Sequence, residues 1–75
     1  MRPYGNSGGE SGVRSYETSG RSIVIEFRDG EKYLYNYDMP GKPDVEEMKR
    51  LAETGAGLAT YINKYVRGRY AKKLN

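Results

Sequence analysis

Apolar and polar residues alternate most clearly between residues 22 and 37, in two runs that flank Asp29-Gly30. The first run places large apolar residues at every second position: Ile23, Ile25 and Phe27. The second run does the same with tyrosines: Tyr33, Tyr35 and Tyr37. Because residues two apart lie on the same face of a strand, the pattern predicts a β-hairpin with one buried face.

The turn of this hairpin allows two registers. A two-residue turn at Asp29-Gly30 would put the tyrosines on the face opposite to Phe27. A turn over residues 28–30 with a glycine bulge would instead pair Ile25 with Tyr33 and collect the large side chains on one face. Because the hydrophobic pattern sets the register, we predict the bulged turn. This register favours a core role for the tyrosine row over the alternative, a platform on which bases stack.

A shorter strand is predicted before the hairpin, over Val13–Thr18, and it ends at the turn-like Ser19-Gly20. The connection after the hairpin contains two prolines, Pro40 and Pro43, which cannot continue a strand ladder. The predicted order up to this point is therefore three strands followed by a break.

Helical spacing begins at Asp44, a predicted N-cap with Glu47 three residues later as in a capping box. The apolar stripe of this helix ends before Gly55 and consists of Val45, Met48, Leu51 and Ala52. A second helix is predicted from about Gly57 to just before Gly68, with a stripe made of Leu58, Tyr61, Ile62, Tyr65 and Val66. Residues 55–57 lack the Lys-Ser/Thr ending of a phosphate-binding loop, so we expect a tight turn between two helices.

These elements predict one α+β domain in the 75-residue chain, with a three-stranded antiparallel sheet in β-β-β-α-α order packed against two C-terminal helices. Residues 1–12 are rich in Gly and Ser and are expected to form a flexible tail. The domain is expected over residues 13–70, and residues 71–75 are expected to form a basic C-terminal tail.

The composition excludes several kinds of chemistry. The chain has no cysteine and no histidine, so disulfides, thiolate zinc sites and imidazole bases are absent. No pair of carboxylates is specified either, and we therefore predict a protein that is not an enzyme and that uses no metal or cofactor. No apolar run is long enough to span a bilayer and no hydrophobic signal core is visible, so a soluble cytoplasmic protein is expected.

Positive charge is concentrated near the C-terminus. The net charge is +3, and no acidic residue follows Glu53. Cations and an aromatic ring in this region form the candidate nucleic-acid-binding set: Lys64, Arg67, Arg69, Tyr70, Lys72 and Lys73. Such residues pair with phosphates and stack on bases, which favours RNA or another nucleic acid as the partner. They can equally complement the helix dipole or keep the protein soluble.

The alternative function is a protein-protein interaction or regulatory module that uses the sheet edge or the helix pair. A small sheet has exposed edges, and pairing of edges between copies would produce homo-oligomers.

The central Tyr33-x-Tyr35 and the later Asn63-x-x-Val66-Arg67-x-x-Tyr70 resemble the KTSC domain, and the resemblance covers about residues 13–70. This small domain occurs at the C-terminus of some lysyl-tRNA synthetases and as free-standing small bacterial proteins. The family has no settled activity, and its attachment to a tRNA synthetase implies RNA binding only by association. Arg67 and Tyr70 rank highest because they match the family pattern. For Asn63 we favour a structural hydrogen bond to a loop carbonyl over contact with a base edge.

Overall fold

The computed structural model describes residues 2–5 and 12–74, and this part of the chain has an α+β fold. The antiparallel strands form one sheet in chain order: β1 (Arg2–Pro3), β2 (Val13–Ser19), β3 (Ser22–Phe27), β4 (Lys32–Asn36) and β5 (Lys72–Lys73). Between β4 and β5 lie α1 (Lys42–Thr54) and α2 (Leu58–Tyr61), which continues directly as a π-helical segment (Ile62–Val66). Over the described ranges, none of the helices has the length and apolar character needed to cross a bilayer.

The β3–β4 hairpin has the bulged register that the sequence predicts. Ile25 lies opposite Tyr33 and Ile23 opposite Tyr35. The Phe27 amide donates to the Glu31 carbonyl at 2.9 Å, and Gly30 has a φ of 90°, a left-handed conformation that favours glycine. The large side chains of both strands therefore share one face of the sheet.

That face carries the core, and the helices cover it. The buried sheet residues include Ile23, Ile25 and Tyr35, and Tyr35 is only 2% exposed. The helices contribute side chains that are at most 3% exposed: Val45, Met48, Ala52, Leu58, Ile62 and Val66. Burial of one such side chain stabilises the fold by about 1.5–3 kcal/mol. The core interpretation of the tyrosine row is thus confirmed for Tyr35, whereas Tyr33 and Tyr37 are only partly buried.

Tyr65 does not join the core, although the helical stripe includes it. Its side chain is 58% exposed and packs on the Tyr61 ring, with the two centroids 4.8 Å apart. The regular α-helix ends at Tyr61, and the π-helical geometry after it shifts the following residues from α-helical spacing. A stripe drawn with regular spacing therefore misassigns this residue.

The predicted N-cap of α1 is wrong. The helix begins at Lys42 with Gly41 as its N-cap and a proline in its first turn, so Asp44 already lies inside the helix. The Asp44 carboxylate accepts a hydrogen bond from the Tyr61 hydroxyl at 2.5 Å, and the Glu47 carboxylate pairs with Arg50. Proline has no backbone N–H, so its position in the first turn leaves no donor that a side-chain cap would have to satisfy. The helix can therefore start before Asp44.

Two further strands correct the prediction of a three-stranded sheet. β1 pairs with β2 at one edge, and β5 pairs with β4 at the other. Both comprise two residues, and their pairing uses backbone groups without an apolar pattern that the sequence could reveal. The segments expected to be tails thus contribute strands at residues 2–3 and 72–73, while residues 6–11 of the expected N-terminal tail lie outside the described residues.

Tyr4 follows β1 and reaches the core. It is 7% exposed, and its hydroxyl accepts a hydrogen bond from the backbone N–H of Leu58, the first residue of α2, at 3.1 Å. The next residue, Gly5, approaches the turn between the helices so closely that a β-carbon there would lie 3.2 Å from the Cα of Gly55. The turn at residues 55–57, predicted as tight, is therefore also the docking position of the N-terminal segment.

Candidate functional site

A groove of about 650 Å³ opens between the β3–β4 hairpin and the segment that follows the helices. Its volume is in the range of small-ligand sites, about 300–1,000 Å³. From the hairpin it is lined by Phe27, Arg28, Asp29, Tyr33 and Tyr35. From the helical side and the segment after it, the lining includes Ile62, Asn63, Arg67, Gly68 and Tyr70.

The backbone after the π-helical segment places Tyr70 at this groove. Gly68 has a φ of 79°, which favours glycine, and the amide of Arg69 donates to the Val66 carbonyl at 2.8 Å, closing a tight turn. The amide of Ala71 then donates to the Leu34 carbonyl at 2.7 Å and begins the pairing with β4. The chain therefore returns to the sheet beside Tyr33.

Three aromatic rings form one wall of the groove. The Tyr33 ring lies at the centre, with its centroid 5.7 Å from that of Phe27 in an edge-to-face arrangement. On its other side, the Tyr70 centroid lies 4.6 Å away with the rings tilted by 46°. Such pairs contribute about 0.5–1.5 kcal/mol each beyond area burial. Tyr70 is nevertheless 37% exposed, so part of its surface is accessible to a ligand.

The floor of the groove includes Tyr35. Burial raises the pKa of its phenol to about 12, and the nearby Tyr33 and Tyr70 hydroxyls add to the shift. The hydroxyl therefore stays protonated at neutral pH. A neutral aromatic floor is compatible with an uncharged ligand surface such as a nucleobase.

Asn63 and Arg67 supply polar groups from the helical side. Both residues are exposed, and neither side chain has a hydrogen-bond or ion-pair partner among the described residues. An amide offers both donors and an acceptor, and a guanidinium offers a fork of donors that matches phosphate oxygens. These two groups are thus available to a bound molecule.

The hairpin contributes a positive and a negative group to the rim. Arg28 and Asp29 both line the groove, and one oxygen of the Asp29 carboxylate accepts the Glu31 amide at 3.0 Å. That hydrogen bond holds the hairpin turn in place. Together with Arg67, the lining of the groove has two arginines and one aspartate.

The groove brings together five residues that the sequence singled out from distant positions: Tyr33, Tyr35, Asn63, Arg67 and Tyr70. Asn63 was expected to donate to a loop carbonyl, but its side chain has no such bond among the described residues, and the carbonyl of Pro40 in the loop before α1 accepts from Arg69 at 3.2 Å. The convergence of these five residues follows from the return of the chain to β4.

The other candidates do not line the groove, although the Lys73 ammonium lies 6.0 Å from the centroid of the Tyr33 ring. Arg69 is held near α1, with its Nη1 4.0 Å from the Asp44 carboxylate. Lys73 contacts the Glu31 carboxylate at 3.1 Å, which raises the pKa of the lysine. Lys72 lies opposite Leu34, one position out of phase with Tyr33 and Lys73, and therefore on the other face of the sheet. Lys64 is exposed outside the groove lining.

Tyr37 also lies away from the groove and has a structural contact. Its hydroxyl donates to the Glu46 carboxylate at 2.7 Å, which raises the pKa of the phenol and lowers that of the carboxyl. The ammonium of Lys49 donates to the Ser19 carbonyl at 2.6 Å in the same region. The first contact joins α1 to the segment after β4, and the second joins α1 to the end of β2.

Sequence reasoning did not assign Phe27, Arg28 and Asp29 to a site. The bulged register places Phe27 on the face of Tyr33, and this signal was available in the alternation pattern. The position of the turn beside residues 67–70 was not available, because it depends on β5.

Comparisons of the chain with protein-family models, curated proteins and solved structures found no significant match.

Proposed function

We propose that this domain binds nucleic acid, with RNA as the favoured partner, through the groove between the hairpin and residues 63–70. The observation that carries the proposal is the convergence of an aromatic wall with two polar side chains that have no partner among the described residues. Tyr33 and Tyr70 offer rings for base stacking, Arg67 offers a cation for phosphate, and Asn63 offers an amide for a base edge. The net charge of +3 favours association with a polyanion.

Binding fits this groove better than acid–base catalysis. Among its described lining residues, Asp29 is the one carboxylate, and it already accepts the amide of Glu31. The tyrosine in the floor has a pKa of about 12, far above the range in which a general base works at neutral pH. The lining thus offers stacking and hydrogen bonding rather than a pair of groups that exchange protons.

The same residues support membership of the KTSC family as part of the proposal. The two halves of the resemblance, Tyr33-x-Tyr35 and Asn63 to Tyr70, are at least 28 residues apart in the chain but line one groove. A shared surface gives these positions a common reason to occur together.

The test compares Arg67→Ala with Lys64→Ala. Each substitution removes one positive charge from the same short stretch of chain, but only Arg67 lines the groove. Binding is measured by the anisotropy of a fluorescein-labelled, mixed-sequence single-stranded RNA of about twelve nucleotides. A charge-assisted contact is worth about 1.5–3 kcal/mol, so we expect Arg67→Ala to weaken binding about tenfold or more.

Lys64→Ala controls for the loss of net charge, and we expect it to weaken binding by less than about threefold. Thermal unfolding of both variants checks that the fold is retained. Equal weakening by the two substitutions, or no binding by the unsubstituted protein, would reject the groove as a nucleic-acid site.

A further inference from the structure

The fold divides the basic residues near the C-terminus between different surfaces. Because side chains alternate along β5, Lys73 shares the face of Tyr33 whereas Lys72 lies beside Leu34 on the opposite face. Arg69 and Lys73 are near acidic partners, Asp44 and Glu31 respectively. A long phosphate backbone would therefore not meet these cations as one continuous row.

The described lining of the groove itself contains two cations, fewer than the basic residues near the C-terminus. Arg67 lines the groove from the helical side and Arg28 lines it from the hairpin side, and the aromatic wall lines the same groove. Two guanidinium groups on different segments of the chain match about two phosphates. The aromatic rings of the same groove match a base attached to those phosphates.

From this arrangement we infer that the groove takes one unpaired nucleobase of a single strand, stacked against the Tyr70–Tyr33 wall, with its flanking phosphates at Arg67 and Arg28. The inference rests on the proposed function and specifies its ligand. Bases inside a duplex present only their edges, because their faces are stacked on neighbouring pairs. A ring wall inside a concave groove can reach the face of a base only when that base is unstacked.

The asparagine adds a reason to expect a base at this position. Asn63 lines the groove with no partner for its side chain among the described residues, and its amide can pair with the edge of a stacked base. A ligand consisting of phosphate alone would leave this group and the aromatic wall unused. The chemistry of the lining is therefore that of a nucleotide rather than of a simple anion.

The salt dependence of RNA binding tests the inference. For single strands, the slope of log affinity against log salt is about 0.7 per phosphate contact, so two contacts predict a slope of about 1.4 and five predict about 3.5. The probe is the fluorescein-labelled single-stranded RNA, compared with the same RNA annealed to its complement as a blunt duplex. We expect a slope near 1.4 and at least tenfold tighter binding of the single strand.

Tyr70→Ala and Tyr65→Ala complete the experiment. Both tyrosines are exposed and each packs on one other tyrosine ring, but only Tyr70 lines the groove. Loss of one base stack predicts about tenfold weaker single-strand binding for Tyr70→Ala and little change for Tyr65→Ala. Unfolding curves of both variants report on their folds, and Tyr70→Leu provides a second groove variant that retains an apolar side chain.

Three results would overturn the inference, in two different ways. Equal binding of duplex and single strand, or a slope near 3.5 with no effect of either Tyr70 substitution, would leave RNA binding in place and reject the single-base ligand. Failure of both RNA forms to bind the unsubstituted protein would reject the proposed function together with the inference.

Discussion

The contact between Tyr4 and the start of α2 leads to a specific prediction about stability. The Tyr4 hydroxyl accepts the backbone N–H of Leu58 at 3.1 Å in a buried position. The first N–H groups of a helix have no partner within the helix, and the N-cap residue Gly57 offers no side chain for this purpose. Tyr4→Phe would leave the Leu58 donor buried without an acceptor.

The expected cost is about 1–3 kcal/mol, the desolvation penalty of an unpaired buried donor. Because about 1 kcal/mol shifts the midpoint of a domain of this size by roughly 4–8 °C, even the lower value is measurable by thermal unfolding followed by circular dichroism. Hydrogen exchange provides a local readout, since the Leu58 amide is expected to lose protection in the variant.

Tyr65→Phe is the matched control. It makes the same chemical change at a tyrosine that is 58% exposed and retains its ring contact with Tyr61. We expect it to change stability by less than about 0.5 kcal/mol. If the two variants unfold at the same temperature and the Leu58 amide stays protected in both, the N-terminal segment does not hold the helix as described.

Two further predictions concern the core. Met48→Ala removes a fully buried side chain and is expected to cost about 2–5 kcal/mol of stability. Met39→Ala, at a side chain that is 45% exposed, is expected to cost less than about 0.5 kcal/mol. Urea unfolding compares the two variants, and equal losses of stability would contradict the assigned packing. Tyr35 has a folded-state pKa of about 12 against an ordinary value of 10.0. The stabilisation of the fold by its neutral phenol is therefore complete below pH 10 and is lost as the pH rises toward 12. The loss is about 1.4 kcal/mol at pH 11. Between pH 9 and pH 11, the unfolding midpoint should therefore fall less in Tyr35→Phe than in the unsubstituted protein. An identical fall in the two proteins would contradict the burial of this phenol.

The hairpin and both helices could be predicted because each carries a strong local signal. Alternation with period two, combined with Gly30 at the bulge, specified the pairing of Ile25 with Tyr33. Helical stripes likewise identified Met48 and Leu58 as core residues. In these segments, the local pattern and the tertiary packing favour the same structure.

The terminal strands could not be predicted, because their stabilising contacts are distant in sequence. β1 and β5 consist of Arg2–Pro3 and Lys72–Lys73, residues whose side chains are exposed and whose pairing depends on backbone groups. Tyr4 is 54 residues from its hydrogen-bond donor, Leu58, and no local pattern connects the two. Propensity and periodicity describe neighbours in the chain and are uninformative about such contacts.

The groove was predictable only as a set of separate residues. The motif positions from Tyr33 to Tyr70 were visible in the sequence, but the basic cluster was interpreted as one surface. In the structure, alternation along β5 separates Lys72 from Lys73, and Asp44 engages Arg69. Each of these outcomes depends on a turn at Gly68 that returns the chain to the sheet.

Chemical-shift mapping on the ¹⁵N-labelled protein identifies the surface of the domain that contacts RNA. Single-stranded RNA is added in steps, and the amide shifts of the groove residues are compared with those of the opposite sheet face. If RNA binds in the groove, we expect the largest changes at Tyr33, Asn63, Arg67 and Tyr70. Largest changes at Val24 and Lys72 on the opposite face, or no change at saturating RNA, would contradict binding in the groove.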